Sequence, residues 1–158
     1  DHTLVSHVRS VLERTGMPPH LLELEITETA VMQNIANAVA LLAEIKKLGV
    51  MIAIDDFGTG YSSLTQLRDL PVDTLKIDRS FVNELATNTT DQSIARAIIT
   101  MGKNLCLNVI AEGVETPEQE AFLRAEACDA MQGFYFSRPG AAEVFAELLE
   151  GHAQRYVG

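Results

Sequence analysis

Asp55 and Asp56 stand side by side at the end of the apolar run Val50-Met51-Ile52-Ala53-Ile54, and the glycine-bearing stretch Phe57-Gly58-Thr59-Gly60-Tyr61-Ser62-Ser63-Leu64 follows them. Adjacent carboxylates at the end of a buried strand repel each other and lose hydration. A cation that neutralises both is the simplest remedy. Hard divalent ions such as Mg²⁺ or Mn²⁺ take oxygen ligands of this kind. The pattern reads as a carboxylate metal site at the mouth of an α/β fold. Other apolar runs end in the same way. Glu25 and Glu28 close the first, Lys76 and Asp78 the third, and Glu112 and Glu115 the fourth, while Gln132 sits within the fifth. Side chains alternate along a strand, so Glu23 shares a face with Glu25, and Lys76 shares one with Asp78. Active sites of parallel α/β folds lie at the C-terminal ends of strands. Five run ends therefore bring acids, an amine and an amide towards one place.

The elements that must position these groups follow from periodicity. The apolar runs at 21–27, 50–57, 74–78, 108–112 and 130–136 are short enough to be buried strands. Between them, 29–48 places Met32, Ile35, Val39, Leu42 and Ile45 at helical spacing, with Gly49 as the stop. The stretch 91–105 aligns Ile94, Ile98, Met101 and Leu105 on one stripe. Thr116-Pro117-Glu118-Gln119 combines an N-cap, a first-turn proline and a capping-box glutamine. A leading helix is expected over 3–15 with Leu4, Val8, Val11 and Leu12 inward, and a closing helix over 141–150. Strand–helix alternation implies parallel strands joined by crossovers. No linker or low-complexity segment interrupts 1–150, and 151–158 reads as a tail.

The chain's 158 residues suit one domain, and 47% hydrophobic content supplies a core. A formal net charge of -10 argues against DNA or RNA polymer as a partner, which needs a basic surface. It does not argue against a phosphate-bearing ligand, because bound cations invert the local field. Cys106 and Cys128 form no CxxC pair and are expected to be buried, reduced thiols. Phe134, Tyr135 and Phe136 are expected to lie mostly in the core. No signal peptide or long apolar span is visible, which suggests a cytoplasmic location, whether free or as part of a membrane-anchored protein.

Glu25-Ile26-Thr27-Glu28, Asp55-Asp56-Phe57-Gly58-Thr59-Gly60, Lys76-Ile77-Asp78, Ala111-Glu112-Gly113-Val114-Glu115-Thr116 and Gln132-Gly133 resemble, in order and spacing, the motifs of the EAL domain. The resemblance covers 1–150. It implies a TIM-barrel-like (β/α)8 fold whose first strand runs antiparallel to the rest. It also implies hydrolysis of one phosphodiester bond of cyclic di-GMP, a bacterial second messenger, to linear pGpG. Two Mg²⁺ or Mn²⁺ ions are implied as cofactors, with Ca²⁺ inhibitory, and a homodimer is common. Fusion to sensory or GGDEF domains is usual in the family. The Glu-Ala-Leu motif and an upstream Asn ligand that the family carries are absent from this chain. A TIM barrel typically takes about 250 residues, so the chain is expected to hold the C-terminal part of the domain, about five strands of eight. The alternatives in view are a catalytically inactive cyclic di-GMP receptor or regulatory module, and an inert fragment.

By the same resemblance, Glu25, Asp55, Asp56 and Glu112 hold the two metals, and Asp55 bridges them. Lys76, Glu112 and Gln132 are the catalytic set. Lys76 holds the attacking water and offsets phosphate charge, and Gln132 orients a water or a bound ligand. Glu28 anchors the loop 57–63. Asp78, Arg79 and Arg138 are candidates for substrate contact, and Glu115 for the dimer region.

Overall fold

The computed structural model describes residues 2–60, 64–143 and 145. Tyr61-Ser62-Ser63, most of the expected closing helix 141–150 and the tail 151–158 lie outside the described residues. Helix α1 (His2–Thr15) leads through a 3₁₀ turn (Pro19–Leu21) to strand β1 (Glu23–Thr27). Then come α2 (Glu28–Gln33), α3 (Ile35–Lys46), β2 (Met51–Phe57), α4 (Leu64–Asp69) and β3 (Thr74–Ile77). The remaining elements are α5 (Arg79–Asn83), α6 (Thr89–Asn104), β4 (Asn108–Ala111), α7 (Pro117–Ala125) and β5 (Ala130–Met131).

The five strands form one sheet in the order β1-β2-β3-β4-β5, and each neighbouring pair is parallel. Crossovers between parallel strands are right-handed almost without exception, so strands that follow in chain order carry their helices to the same face of the sheet. That is the winding of a TIM-type barrel, here seen as an open five-stranded part of it. The helix-covered face holds the apolar core: Leu42 and Ile45 from α3, Ile52 and Ile54 from β2, Leu75 and Ile77 from β3, and Ile98 and Ile99 from α6. Ile52 and Ile54 are fully buried, and burial of such a side chain contributes about 1.5–3 kcal/mol. The opposite face is polar. Thr74 donates a hydrogen bond to Glu23 Oε2 at 2.9 Å, which reaches over β2. The small, buried Ala53, in register with Glu25 and Thr74, leaves room for β1 and β3 side chains to meet.

At the N-terminal ends of the strands, the acid just before one strand ties down its neighbour. Asp73 Oδ2 accepts from Ile52 N at 2.8 Å and from Lys46 Nζ at 2.7 Å, and Asp129 Oδ2 accepts from Val109 N at 2.8 Å. These bonds fix register at the N-terminal edge of the sheet.

Several expectations change. The helix expected over 29–48 is two helices. Asn34 leaves helical geometry, at φ -153° and ψ 76°, and its side chain accepts from Asn37 N to cap α3. Asn competes well for such a cap because its short amide reaches the backbone. Leu4 is exposed, while Val8 and Leu12 are buried. Strand β5 has two residues, because the chain turns away after Met131. Phe134, Tyr135 and Phe136 are consequently exposed rather than core. Cys106 is also exposed, at a left-handed φ of 58° just after α6, and Cys128 is half-buried. Among the described residues, no helix is long and apolar enough to cross a membrane.

Candidate active site

Lys76 is the centre of the polar face. Its ammonium lies 2.6 Å from Glu25 Oε1, 2.6 Å from Glu112 Oε1 and 3.2 Å from Asp55 Oδ1, and its side chain is only 5% exposed. Each partner comes from a different strand or the residue just after it. Glu25 lies within β1, Asp55 near the end of β2, and Glu112 immediately after β4. Burial works most strongly against the Lys76 charge, but hydrogen bonds with Glu112, Glu25 and Asp55 outweigh it and hold the amine above the usual lysine range. Lys76 is therefore a fixed cation at neutral pH and a donor of hydrogen bonds, not a proton acceptor.

Asp56 breaks the strand rule. Its φ of 54° is left-handed, and the β2–β3 register slips between Ile54 and Phe57. Its amide donates to Asp55 Oδ1 at 3.1 Å. The bulge lets two consecutive carboxylates serve one region, where a regular strand would turn them to opposite faces. Desolvation, then the nearby charges of Asp55 and Asp78, push the Asp56 carboxyl up, with Lys76 opposing. Asp78 goes the other way. Burial opposes its charge, but hydrogen bonds accepted from the Ser80 hydroxyl and backbone and from the Asp56 carboxyl hold it below the usual range. Asp78 caps α5 by accepting from Ser80 N at 2.9 Å.

Glu28 begins α2 and is 2% exposed. Its Oε2 accepts from Gly58 N at 3.0 Å and Gly60 N at 3.3 Å, so it grips the loop that follows the two aspartates. A Cβ on Gly60 would stand 2.7 Å from Glu28 Oε1, which is why the loop needs glycine there. Of the remaining sequence candidates, Gln132 is exposed at the end of β5, and its backbone pairs with Val114. Arg79 is exposed at the start of α5, packed against Gly113. The Arg138 guanidinium lies 4.8 Å from the centre of the Phe134 ring, away from the Lys76 cluster's hydrogen bonds. Glu115 is exposed, with its amide bonded to the Gln119 side chain. The structure thus brings Glu25, Asp55, Lys76 and Glu112 together, sets Asp56 and Asp78 beside them, and leaves Gln132, Arg79, Arg138 and Glu115 outside direct contact with Lys76. The Glu23–Thr74 bond beneath this cluster went unread, although Thr74 and Lys76 share a strand face by simple alternation.

Four carboxylates, Glu25, Asp55, Asp56 and Glu112, stand against one ammonium. Among the described residues, no three acidic, histidine or cysteine side chains close round a point as a finished metal cage. The donor set nevertheless suits a hard divalent ion, being all carboxylate oxygen. The strained Asp56, whose charge its surroundings disfavour, is the group that such a cation would relieve most. An excess of negative charge at the strand ends, with a fixed donor in its midst, is chemically able to hold cations and, through them, phosphate.

The profile of the EAL domain family matches residues 1–139. Cyclic di-GMP phosphodiesterase NbdA of Pseudomonas aeruginosa is 50% identical over 150 residues, which is 95% of this chain and 19% of that protein. Bifunctional diguanylate cyclase/cyclic di-GMP phosphodiesterase MucR of the same species is 46% identical over 140 residues, 89% of this chain and 20% of that protein. A solved structure described as PaMucR phosphodiesterase in complex with c-di-GMP superposes with a TM-score of 0.87 at 46% identity, covering 90% of this chain and 57% of that one. Klebsiella pneumoniae BlrP1, in a manganese and cyclic di-GMP complex, does so with a TM-score of 0.80 at 34% identity, covering 85% of this chain and 34% of that one. The chain thus spans about a fifth of the length of these curated relatives. With strands, carboxylates and lysine arranged as described and a family profile matched over most of its length, the chain belongs to the EAL domain family.

Proposed function

We propose that the protein carrying this domain hydrolyses one phosphodiester bond of cyclic di-GMP to linear pGpG. The observation that carries this reading is the convergence of Glu25, Asp55 and Glu112 on the buried Lys76, with Asp56 held beside them in a strained turn. The relatives named as cyclic di-GMP phosphodiesterases support the substrate.

In this reading Glu25, Asp55, Asp56 and Glu112 would hold two divalent ions, Mg²⁺ or Mn²⁺. When bound, such a pair supplies an activated water and charge stabilisation at the attacking and leaving oxygens of an in-line displacement. Lys76 would donate hydrogen bonds to the attacking water and offset phosphate charge. Gln132 orients the water or a bound ligand from the end of β5. Glu28 keeps the loop after Asp56 in one state. Asp78 fixes Asp56 and the start of α5, and Arg79 and Arg138 are candidates for contact with guanine or phosphate. Glu115 belongs to a homodimer surface, and sensory or GGDEF domains accompany the domain in a cytoplasmic protein.

Incubating the full-length protein with cyclic di-GMP and Mg²⁺ or Mn²⁺ tests the proposal. Formation of pGpG is expected. Tight binding without product would make the domain a receptor instead.

A further inference from the structure

Gln119 is a polar side chain with 4% exposure, and it does more than a capping box requires. Its Oε1 accepts from Glu115 N at 2.7 Å and from Thr116 N at 2.9 Å. The reach back to the N-cap amide is the capping-box half. Its Nε2 then donates to Asn83 O at 3.0 Å, at the end of α5. Asn83 is the last residue of α5, where helix carbonyls lack partners within the helix.

The two segments that this amide joins are the ones that deliver the central pair of the site. Glu115 and Thr116 follow Glu112 closely, and α5 starts just after Lys76 and Asp78. Nearer the site, the same segments touch twice more. Glu112 N donates to Ile77 O at 3.2 Å, and a Cβ on Gly113, at φ +72°, would stand 2.7 Å from Arg79 Cβ. Gln119 is the outermost of three stitches between them, and a side chain rather than backbone makes it.

We propose that Gln119 is a positioning residue: its amide ties the segment after Glu112 to the helix after Lys76, and so holds the Glu112–Lys76 pair at its 2.6 Å contact. The amide is the only common side chain of this size that accepts on one arm and donates on the other. Glutamate in its place keeps both accepted bonds but offers Asn83 O an anion where it had a donor. Misplacement of a reacting group by about 1 Å can cost on the order of 10²-fold in rate, so a small loosening of this tie has a kinetic signature.

The inference rests on the proposed hydrolysis only for its kinetic readout. The test compares the full-length protein with its Gln119→Glu and Gln119→Ala variants, by kcat and KM for cyclic di-GMP and by amide hydrogen exchange over 78–84 and 112–116. For Gln119→Glu we expect kcat to fall about tenfold with KM within about twofold, and exchange over 78–84 to quicken while 112–116 changes little. Gln119→Ala should quicken both segments and lower kcat further. An unchanged kcat, or unchanged exchange over 78–84, would overturn the proposal. So would a loss shared by kcat and KM that tracks a fall in melting temperature, which would make Gln119 a structural residue only. If the unaltered protein forms no pGpG, the proposed hydrolysis has failed, and the exchange result alone decides: quickening over 78–84 in Gln119→Glu upholds the tie, and none overturns it.

Discussion

Lys76 shows why a residue's neighbours decide its role. A lysine on a strand is ordinarily solvated or pKa-depressed by burial, but three carboxylates around this one keep it cationic. Under the proposed hydrolysis, its charge matters most where charge develops on the phosphate. Lys76→Ala should therefore lower kcat by about 10²–10³-fold while cyclic di-GMP affinity, measured by calorimetry, changes far less. Equal losses in both would reduce Lys76 to a binding group. At this scale the sequence was informative, because acids and a lysine at the ends of apolar runs point to the C-terminal mouth of a parallel sheet. What it could not display was the meeting itself. The contact of Glu25 with Lys76 depends on β1 and β3 reaching over Ala53, and the turn at Asp56 depends on a register slip that no single-residue preference announces. Phe134 misled for a related reason. An aromatic run reads as core until the strand that should bury it stops after two residues.

The elements are held by short, specific ties, and these give their own expectations. Gly133 lies against the loop after β4 so closely that a Cβ would come 2.0 Å from Val114 O. Backbone cannot yield as a side chain can, so Gly133→Ala should destabilise the fold by about 3 kcal/mol or more in chemical denaturation. A near-neutral result would mean that β5 is free to shift. On the outer layer, Arg96 pairs with Glu126, joining α6 to the end of α7. The hydrogen bond from Arg96 holds the Glu126 carboxyl below its usual range. A depressed folded-state value means that the stabilisation is present above the ordinary glutamate pKa and is lost as pH falls through the folded value. Glu126→Gln should thus cost at most about 1 kcal/mol at pH 7, and the gap in melting temperature should shrink as the solution is acidified. A gap that widened in acid would reverse the sign and remove the pair as its cause. Long helices and strand cores were legible from period alone, as in α6, where Ile98 is buried and Ile94, Met101 and Leu105 of the same stripe pack against the core. The short helices α4 and α5 were not, since six and five residues are too few for a periodic stripe. The break at Asn34 was hidden inside an apolar pattern that continues in phase across it.

Across the whole molecule, β1 and β5 each have one strand partner among the described residues. A TIM barrel closes eight strands, so the sheet described is an open part of one. The parallel order and the gathering of chemistry at one mouth were readable from strand–helix alternation, whereas closure is not a local property of any segment. Open strand edges and an uncovered polar interior disfavour independent function. We expect the 158 residues alone to associate in light scattering and to hydrolyse cyclic di-GMP negligibly beside the full-length protein. Comparable turnover by the two would show that the strands here suffice. The carboxylate cluster is the heart of the matter, and a divalent-ion titration of pGpG formation by the full-length protein and its Asp55→Asn variant addresses it. We expect the unaltered protein to form pGpG, and the variant to need at least about tenfold more Mg²⁺ or Mn²⁺ while turning over more slowly even at saturation. An identical titration curve for the two proteins, or no product from the unaltered one, would contradict the assignment of this cluster as the hydrolytic centre.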